Sequence, residues 1–481
     1  MCYNERRFLS PRLMIPPGQK AEKQISAWIG VVLLLAVSLI APSPAGAAEQ
    51  ADTNNIPGWL ASPISLQDAI EIALKQNANI LRSKAEIEAN QGIVLQTRAI
   101  IYPTLRSSGN FTAEDQALIE KFPSASGFVV PLPDKSWNLN LQLVQSVYEG
   151  GRMKSALRSA KLSRDQALLQ YQSVVADALL DVSVAYDDVL LATELINVQE
   201  ASVKLLTKEL TDTQSRFEAG TVPRFNVLRA EVELANARPR LIHARNVLRV
   251  AKNTFATSIG YNIPTNIWQE IPLQLSGKLE ALPIDYSLPV AMGKAMEMRP
   301  EIAALHKAEG LRREGIVNAK SGYKPSVQIF GGYGARNSSF NPDISDELHG
   351  WTTGIQFSWN WFDGYLTKGR IEEARALHQR SVVDLDDTTR RIQQEVRTAF
   401  SNFIEAQEVL ESQKKVQEQA EEALRLAIAR NEAGAGTQLD VLSAQTALTE
   451  ARSTQVQALH DYAVARARLQ RAVGAMHPQP K

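Results

Sequence analysis

RNEAGAGTQLDVLSAQTALTEAR, residues 430–452, repeats the pattern of RFEAGTVPRFNVLRAEVELANAR, residues 216–238. Each follows a run rich in Ala, Leu, Glu, Gln and Arg, side chains that lose little on entering a helix. Each is then broken by glycine, Gly220 in the first and Gly434 with Gly436 in the second. A glycine just past a helix end supplies the left-handed residue that closes it, and a nearby threonine can cap the next helix. Gly220 with Thr221 fits that grammar, and so does Gly434-Ala435-Gly436-Thr437. Both stretches therefore read as hairpin tips, where one helix ends and another returns.

The helices that reach these tips are long. Between Gly151 and Gly220 there is neither proline nor glycine, and from Arg370 to Val473 there is no proline and no glycine except Gly434 and Gly436. A continuous helix of about 67 residues would extend roughly 100 Å, whereas ordinary globular helices run to about 20 residues. Val175, Leu179, Val182, Tyr186 and Val189 step by four and three, and Ile392, Val396, Phe400 and Phe403 repeat that seam. Alanines at 230, 235, 237, 444, 447 and 451 would let the returning helices pack closely, and Pro239 predicts a kink in the first of them.

The duplication extends well beyond the tips. SLQDAIEIALKQNANI (65–80) matches SLPVAMGKAMEMRPEI (287–302), with Ser65 falling on Ser287 and Pro103 on Pro325. Farther along, the offset becomes 214 and stays there: Trp137 falls on Trp351, Tyr148 on Phe362, Gly150 on Gly364 and Gly260 on Gly474. Two copies of one unit are expected over 62–261 and 284–475, with 262–283 as a proline-punctuated linker or equatorial segment and 476–481 as a short tail. The length difference between copies lies between Pro103 and Trp137, the mark of an exposed loop.

Each copy also holds two segments of period two. In WTTGIQFSWNWF (351–362) the odd positions are Trp351, Thr353, Ile355, Phe357, Trp359 and Trp361, with polar or small residues between them. WNLNLQLVQSV (137–147) alternates in the same way, and LRSSGNF (105–111) and VQIFGGYGA (327–335) do so more weakly. Such alternation puts one apolar face opposite one polar face. A soluble antiparallel sheet would show it too. Three of the seven tryptophans fall within 351–361, and aromatic girdles mark transmembrane strands. Trp137, Trp351, Trp359 and Trp361 are the candidate membrane-interface aromatics. Four strands cannot close around a lumen, since about eight form the smallest filled barrel, and an open edge is not tolerated in lipid. Membrane strands would thus require several chains: two for a packed eight-stranded barrel, three for twelve strands and a pore.

Residues 1–48 stand apart. Arg6, Arg7, Arg12, Lys20 and Lys23 precede the apolar run AWIGVVLLLAVSLIA (27–41) and the small residues Ala45, Ala47 and Ala48. This is the order of a secretory signal peptide with cleavage near Ala47 or Ala48. A membrane anchor is the other reading, but the run is shorter than the ~20 residues of a spanning helix. Met14 is an alternative start. Cys2, the only cysteine, lies in this segment, so the expected mature chain offers no disulfide, thiolate metal site or cysteine nucleophile.

The chain has 481 residues, 44% of them hydrophobic and 22% charged, with zero net charge. This balance gives no electrostatic reason to expect a nucleic-acid partner. The six histidines are scattered, and neither HExxH nor a phosphate loop occurs. No enzyme activity, cofactor or metal is expected. DLDD (384–387) reads as a solvated helix face, and GGYG (331–334) as a glycine-rich strand without the βαβ context of a nucleotide site.

The duplicated EAG…(N/D)VL…A…AR tips, the YEGG (148–151) and FDG (362–364) strand-to-helix turns, and Pro103 and Pro325 before the strands together resemble the TolC-type outer-membrane efflux family over 62–475. The resemblance implies a mixed α/β membrane protein: a homotrimer with a twelve-stranded transmembrane β-barrel, four strands per chain, continued by a long periplasmic α-helical barrel. It implies a place in the outer membrane, in contact with its lipid. The partners would be a periplasmic adaptor and, through it, an inner-membrane transporter, in tripartite efflux or type I secretion. By position it makes Glu218, Ala219, Gly220, Thr221, Glu432, Ala433, Gly434, Ala435, Gly436 and Thr437 the adaptor-docking tips. It places Asp440 in an inward acidic ring that would attract cations and repel anions. An exposed acid in the first turn of a helix is favourable in any case, so both readings of Asp440 stand. Ser443 replaces a second acid of the family pattern, and Asn226 stands at the first-copy position of Asp440, which implies a weaker or differently built gate. A periplasmic coiled-coil adaptor or scaffold without a pore would explain the helices but not the girdled strands. A secreted enzyme would lack a site.

Overall fold

The structure is a computed structural model that describes residues 62–119, 133–262, 271–283, 286–338 and 343–476. The expected signal peptide (1–48), positions 263–270 of the linker and positions 477–481 of the tail lie outside the described residues. Helices α1 (Leu66–Gln76) and α2 (Ala78–Ala99) are followed by strands β1 (Thr104–Ala113) and β2 (Lys135–Glu149), then by helices α3 (Arg152–Glu218) and α4 (Arg224–Ser258). The order then recurs as α5 (Leu288–Met298), α6 (Pro300–Lys320), β3 (Ser326–Asn337), β4 (Glu347–Ser358), α7 (Leu366–Glu432) and α8 (Gln438–Val473). Packing separates two units: one of residues 104–144 and 329–355, the other holding the helices and the strand ends.

In the strand unit the sheet order is β1-β2-β3-β4. Strands β1 and β2 are antiparallel, with Leu105 opposite Leu143, Gly109 opposite Leu139 and Phe111 opposite Trp137. Arg106 faces Gln142, and Asn110 faces Asn138. Directly opposed residues share a face, so the expected alternation sorts apolar from polar side chains. Leu105, Phe111, Leu139, Leu141, Trp351, Ile355 and Phe357 are all exposed. Strand β4 ends at Ser358, short of the expected 362. Trp359 and Trp361 therefore leave the ladder and stack on each other at 4.4 Å, with the Trp359 indole donating to the Tyr323 carbonyl. Their alternation continues the strand pattern, but the turn into α7 has already begun.

In the helical unit α3 and α7 each run 67 residues without a break. The seam residues Val175, Leu179, Val182, Tyr186, Val189, Ile392, Val396 and Phe403 are buried, and Phe400 packs at the edge of the cluster that holds Ile392, Val396 and Phe403. The α4 helix continues through Pro239, so that proline removes one backbone bond without splitting the helix.

The linker is more than a tether. Ile271 and Leu273 are buried in a core with Tyr186, Val189 and Phe255. The Tyr186 hydroxyl accepts the Gly277 N–H at 3.0 Å and donates to the Ile64 carbonyl at 3.3 Å. Proline punctuation shows that a segment is irregular, yet it cannot say whether that segment lies on a core.

The helix-to-helix breaks carry polar caps. Asn77 accepts N–H bonds from Asn79 and Ile80 of α2, and its amide donates to the Ser258 carbonyl at the end of α4 at 2.8 Å. Arg299 stands at the break between α5 and α6 and donates to the Ala472 carbonyl near the end of α8 at 3.1 Å. Different side chains thus satisfy equivalent orphan carbonyls.

Candidate functional site: the paired helix tips

At both tips the backbone closes in the same way. Gly220 has φ +73° and Gly434 has φ +71°. The Gly220 N–H donates to the Phe217 carbonyl and the Thr221 N–H to the Arg216 carbonyl. At the second tip Gly434 donates to Asn431 and Ala435 to Arg430. This is the Schellman closure, which needs a left-handed residue after the cap. Gly436 serves a different end, because a Cβ there would come within 3.1 Å of Arg430 and Asn431.

The threonines part company. Thr437 caps α8, with its hydroxyl accepting the Asp440 N–H while Asp440 Oδ2 accepts the Thr437 N–H at 2.9 Å. Thr221 does not cap α4: Pro223 occupies that position, and the Thr221 hydroxyl donates back to the Arg216 carbonyl. Asp440 is exposed, and the Thr437 backbone and hydroxyl donors, with Arg430 nearby, hold its carboxyl below the usual range. It is therefore ionised at neutral pH. In a single chain it closes a capping box. Glu218, Ala219, Gly220, Thr221, Glu432, Ala433, Gly434 and Ala435 are exposed.

Two contacts were not legible in the sequence. Arg216 donates to the Asn431 side chain at 3.1 Å and joins the tips. Gln438 donates to Thr213 at 2.7 Å and to Glu209 at 3.2 Å, tying the start of α8 to α3. Beneath them Leu206, Leu234, Ala237 and Leu442 form a shared apolar cluster. No local motif marks residues that meet across two hairpins.

The four tryptophans are differently placed. Trp351 is exposed within β4. Trp137 is half-buried, its indole donating to the Ile344 carbonyl at 2.9 Å. Trp359 and Trp361 lie beyond the strand. In DLDD, Asp384, Asp386 and Asp387 pair with Arg380, Arg390 and Arg391 one turn away, as a solvated face does.

The family model described as outer membrane efflux protein matches residues 69–261 and 291–475, two blocks that each hold one hairpin tip. The chain belongs to the outer membrane efflux protein family. This efflux protein is 22% identical to outer membrane protein TolC of Escherichia coli strain K12, over 86% of this chain and 83% of that one. It is 24% identical to the cobalt-zinc-cadmium resistance protein CzcC of Cupriavidus metallidurans, over 87% of this chain and 92% of that one. Its fold is that of the solved outer-membrane channel OprN, with TM-score 0.72, 21% identity and coverage of 86% and 91%. The efflux protein is thus an outer-membrane channel-tunnel with a periplasmic helical part, of the class that serves tripartite efflux and type I secretion.

Farther from the tips, the efflux protein carries a titratable cluster between α3 and α8. Burial opposes the charge on His460, but its bonds to Asp188 at 2.8 Å and Asp461 at 3.1 Å win and raise its pKa. Burial pushes Asp187 up to about 6, against the pull of His460 and Arg466. Both groups hold protons more tightly when folded. Stability is therefore expected to fall as pH rises, first through the Asp187 range up to about 6 and then above 6.5 as His460 loses its proton. His460→Gln should remove the His460 part of this slope and, by taking away its pull on Asp187, carry the Asp187 part to higher pH. The check is the heat-unfolding midpoint of both proteins from about pH 5 to about pH 9.

Proposed function

We propose that the protein works as a homotrimer whose twelve strands, four from each chain, close one transmembrane barrel in the outer membrane, and whose long helices form the tunnel wall across the periplasm. The observation that carries this is the sheet: among the described residues it has four strands, an exposed apolar face and two edges, β1 and β4, that each have one neighbour. In lipid such edges must be closed, and only further copies can close them. The chain is read as two repeats, 62–261 and 284–475. Equal 67-residue helices and the matched Asn77–Ser258 and Arg299–Ala472 caps support that reading. Trp137, Trp351, Trp359 and Trp361 are proposed to lie at the lipid interface.

The exposed tips, Glu218 to Thr221 and Glu432 to Thr437, are the proposed docking points for a periplasmic adaptor and, through it, an inner-membrane transporter. Arg216–Asn431 and Gln438–Thr213 are the bonds that must break for the hairpins to part. Asp440 is the proposed acid of the entrance ring. Asp440→Asn keeps an oxygen to accept from Thr437 but removes the charge, so cation selectivity should fall while conduction persists. Reversal potentials in a salt gradient measure this, and an unchanged potential would remove Asp440 from the ring. For the assembly itself, washed membranes should retain the protein through high salt, and detergent extracts should sediment as a trimer. A salt-released protein would support the scaffold reading instead.

A further inference from the structure

The two copies build the strand-to-helix turn with different side chains. At the first turn the Gln145 amide donates to the Ile101 carbonyl at 3.1 Å, and Gly151 takes a left-handed position with φ +100°. At the second the Trp359 indole donates to the Tyr323 carbonyl at 3.1 Å, and Tyr365 takes the left-handed position with φ +69°. The offset of 214 carries Gln145 onto Trp359 and Gly151 onto Tyr365, and the offset that carries Pro103 onto Pro325 carries Ile101 onto Tyr323. The same backbone work is thus done by an amide and a glycine in one copy and by two large rings in the other. Tyr365 is the one residue besides glycine with positive φ among the described residues. A side chain there is strained, and glycine would avoid the strain.

These rings do not fill a core. Trp361 is 84% exposed and Tyr365 69%, and Phe362, which meets Tyr365 edge-on at 5.6 Å, is exposed as well. The charges differ between the copies too. In the first, Arg152 is paired with Glu149 at 2.8 Å. In the second, Lys320, Lys324, Lys368 and Arg370 are exposed, and none of them is in an ion pair among the described residues. Lys368 lies 5.9 Å from the centre of the Tyr365 ring. The acid of this turn, Asp363, accepts the Thr367 N–H at 2.9 Å, and Glu372 and Glu373 belong to the next turn of α7. The segments that carry the two lysines abut, since a Cβ on Gly322 would meet the Thr367 hydroxyl at 2.5 Å. Rings with a polar edge beside unpaired cations match the boundary between acyl chains and anionic headgroups.

We propose that the second strand-to-helix turn is a seat for an anionic phospholipid of the periplasmic leaflet. Lys324 and Lys368 hold the phosphate, while Trp361 and Tyr365 lie against the glycerol and the upper acyl chains. The first turn lacks this seat, because its arginine is already paired and Gln145 and Gly151 stand in place of the rings. The proposal rests on the reading of Trp359 and Trp361 as lipid-interface residues.

The test is the heat-unfolding midpoint of the purified protein in detergent with added phosphatidylglycerol, phosphatidylcholine or inorganic phosphate. Phosphatidylglycerol is expected to raise the midpoint several degrees more than phosphatidylcholine does, and inorganic phosphate should not raise it. Lys324→Gln with Lys368→Gln should keep the parent's midpoint in detergent alone and lose the phosphatidylglycerol increment. Tyr365→Gly relieves the left-handed strain, so without lipid it should match or exceed the parent, yet it should lose most of the increment. Equal shifts from the two lipids, a shift from phosphate alone, an increment kept by the double lysine variant, or a Tyr365→Gly protein weaker than the parent without lipid would each overturn the seat. Membrane retention is measured separately. A protein held in salt-washed membranes that gives one of those results loses the seat alone, whereas a protein released by salt loses the lipid-interface reading with it.

Discussion

Replacing Arg471 with alanine is expected to destabilise the helical unit by about 3 kcal/mol, the cost of removing one partner from a buried ionic cluster. Arg471 is only 5% exposed. Its Nε donates to Asp177 at 2.7 Å, and Nη2 donates to Glu301 and Ser173. Arg299, equally buried, donates to Glu301 from the other side and to Glu395. Burial alone would raise the Glu301 pKa, but the two guanidiniums overcome it and hold the carboxyl near about 2. Its contribution is therefore present above the ordinary carboxyl range and is lost as pH falls toward 2. In Arg471→Ala the folded Glu301 pKa rises toward the ordinary range, so that acid limb should be smaller and end at higher pH. Arg471→Lys, which cannot bridge two carboxylates in a fork, should fall between. The measurement is denaturant unfolding followed by helical circular dichroism at neutral and acid pH. Equal acid limbs in parent and mutant would mean that Arg471 does not hold Glu301.

The second large effect is expected at Gly260. Its φ is +83°, and a Cβ would lie 2.5 Å from the Gln76 carbonyl oxygen and 2.9 Å from the Asn77 nitrogen. These are backbone atoms, which cannot swing aside as a side chain can. Gly260→Val therefore combines left-handed strain with overlap and should cost more than about 3 kcal/mol, dislodging Asn77 from the Ser258 carbonyl. Gly474, with nearest contacts of 3.2 Å, should tolerate valine better. Gly220 has φ +73° but open space around it, so alanine there should cost only about 1 kcal/mol. Thermal midpoints of the three variants should follow that order. A Gly220 variant as damaged as the Gly260 one would contradict the packing argument.

Much of the fold was legible because its signals are periodic. The seam through Val182 and Val189, the alternation in β2 and the glycine closures at 220 and 434 each follow from local geometry. Errors arose where pattern and packing diverge. The tryptophan alternation outlasts β4, so the strand read from sequence ran on into the turn at Trp359. Thr221 resembles Thr437, but Pro223 takes the cap position of α4 and leaves that hydroxyl to the preceding helix. Tyr365 adopts φ +69° where the first copy has Gly151, a left-handed position that its side chain gave no hint of. The Arg299–Glu301–Arg471 cluster and the Arg216–Asn431 bond join residues from distant segments, and nothing in a single sequence brings them together.

Of the candidate site, the tips were readable and the meaning of Asp440 was not. Its capping box with Thr437 is a local motif, while a ring of carboxylates is a property of assembled copies. The same holds for the proposed aromatic girdle: Trp351 is exposed on its strand, but Trp137 is tied to the Ile344 carbonyl by a contact that no alternation encodes.

The central claim is that this chain assembles an aqueous path across the outer membrane. The most direct test is single-channel recording of the purified protein in a planar bilayer, alongside a variant with Arg216→Ala and Gln438→Ala that removes the bonds joining the hairpins. The account predicts uniform, cation-selective current steps that are small in the parent and larger in the variant. Protein that is inserted and trimeric, yet passes no current in either form, would contradict it.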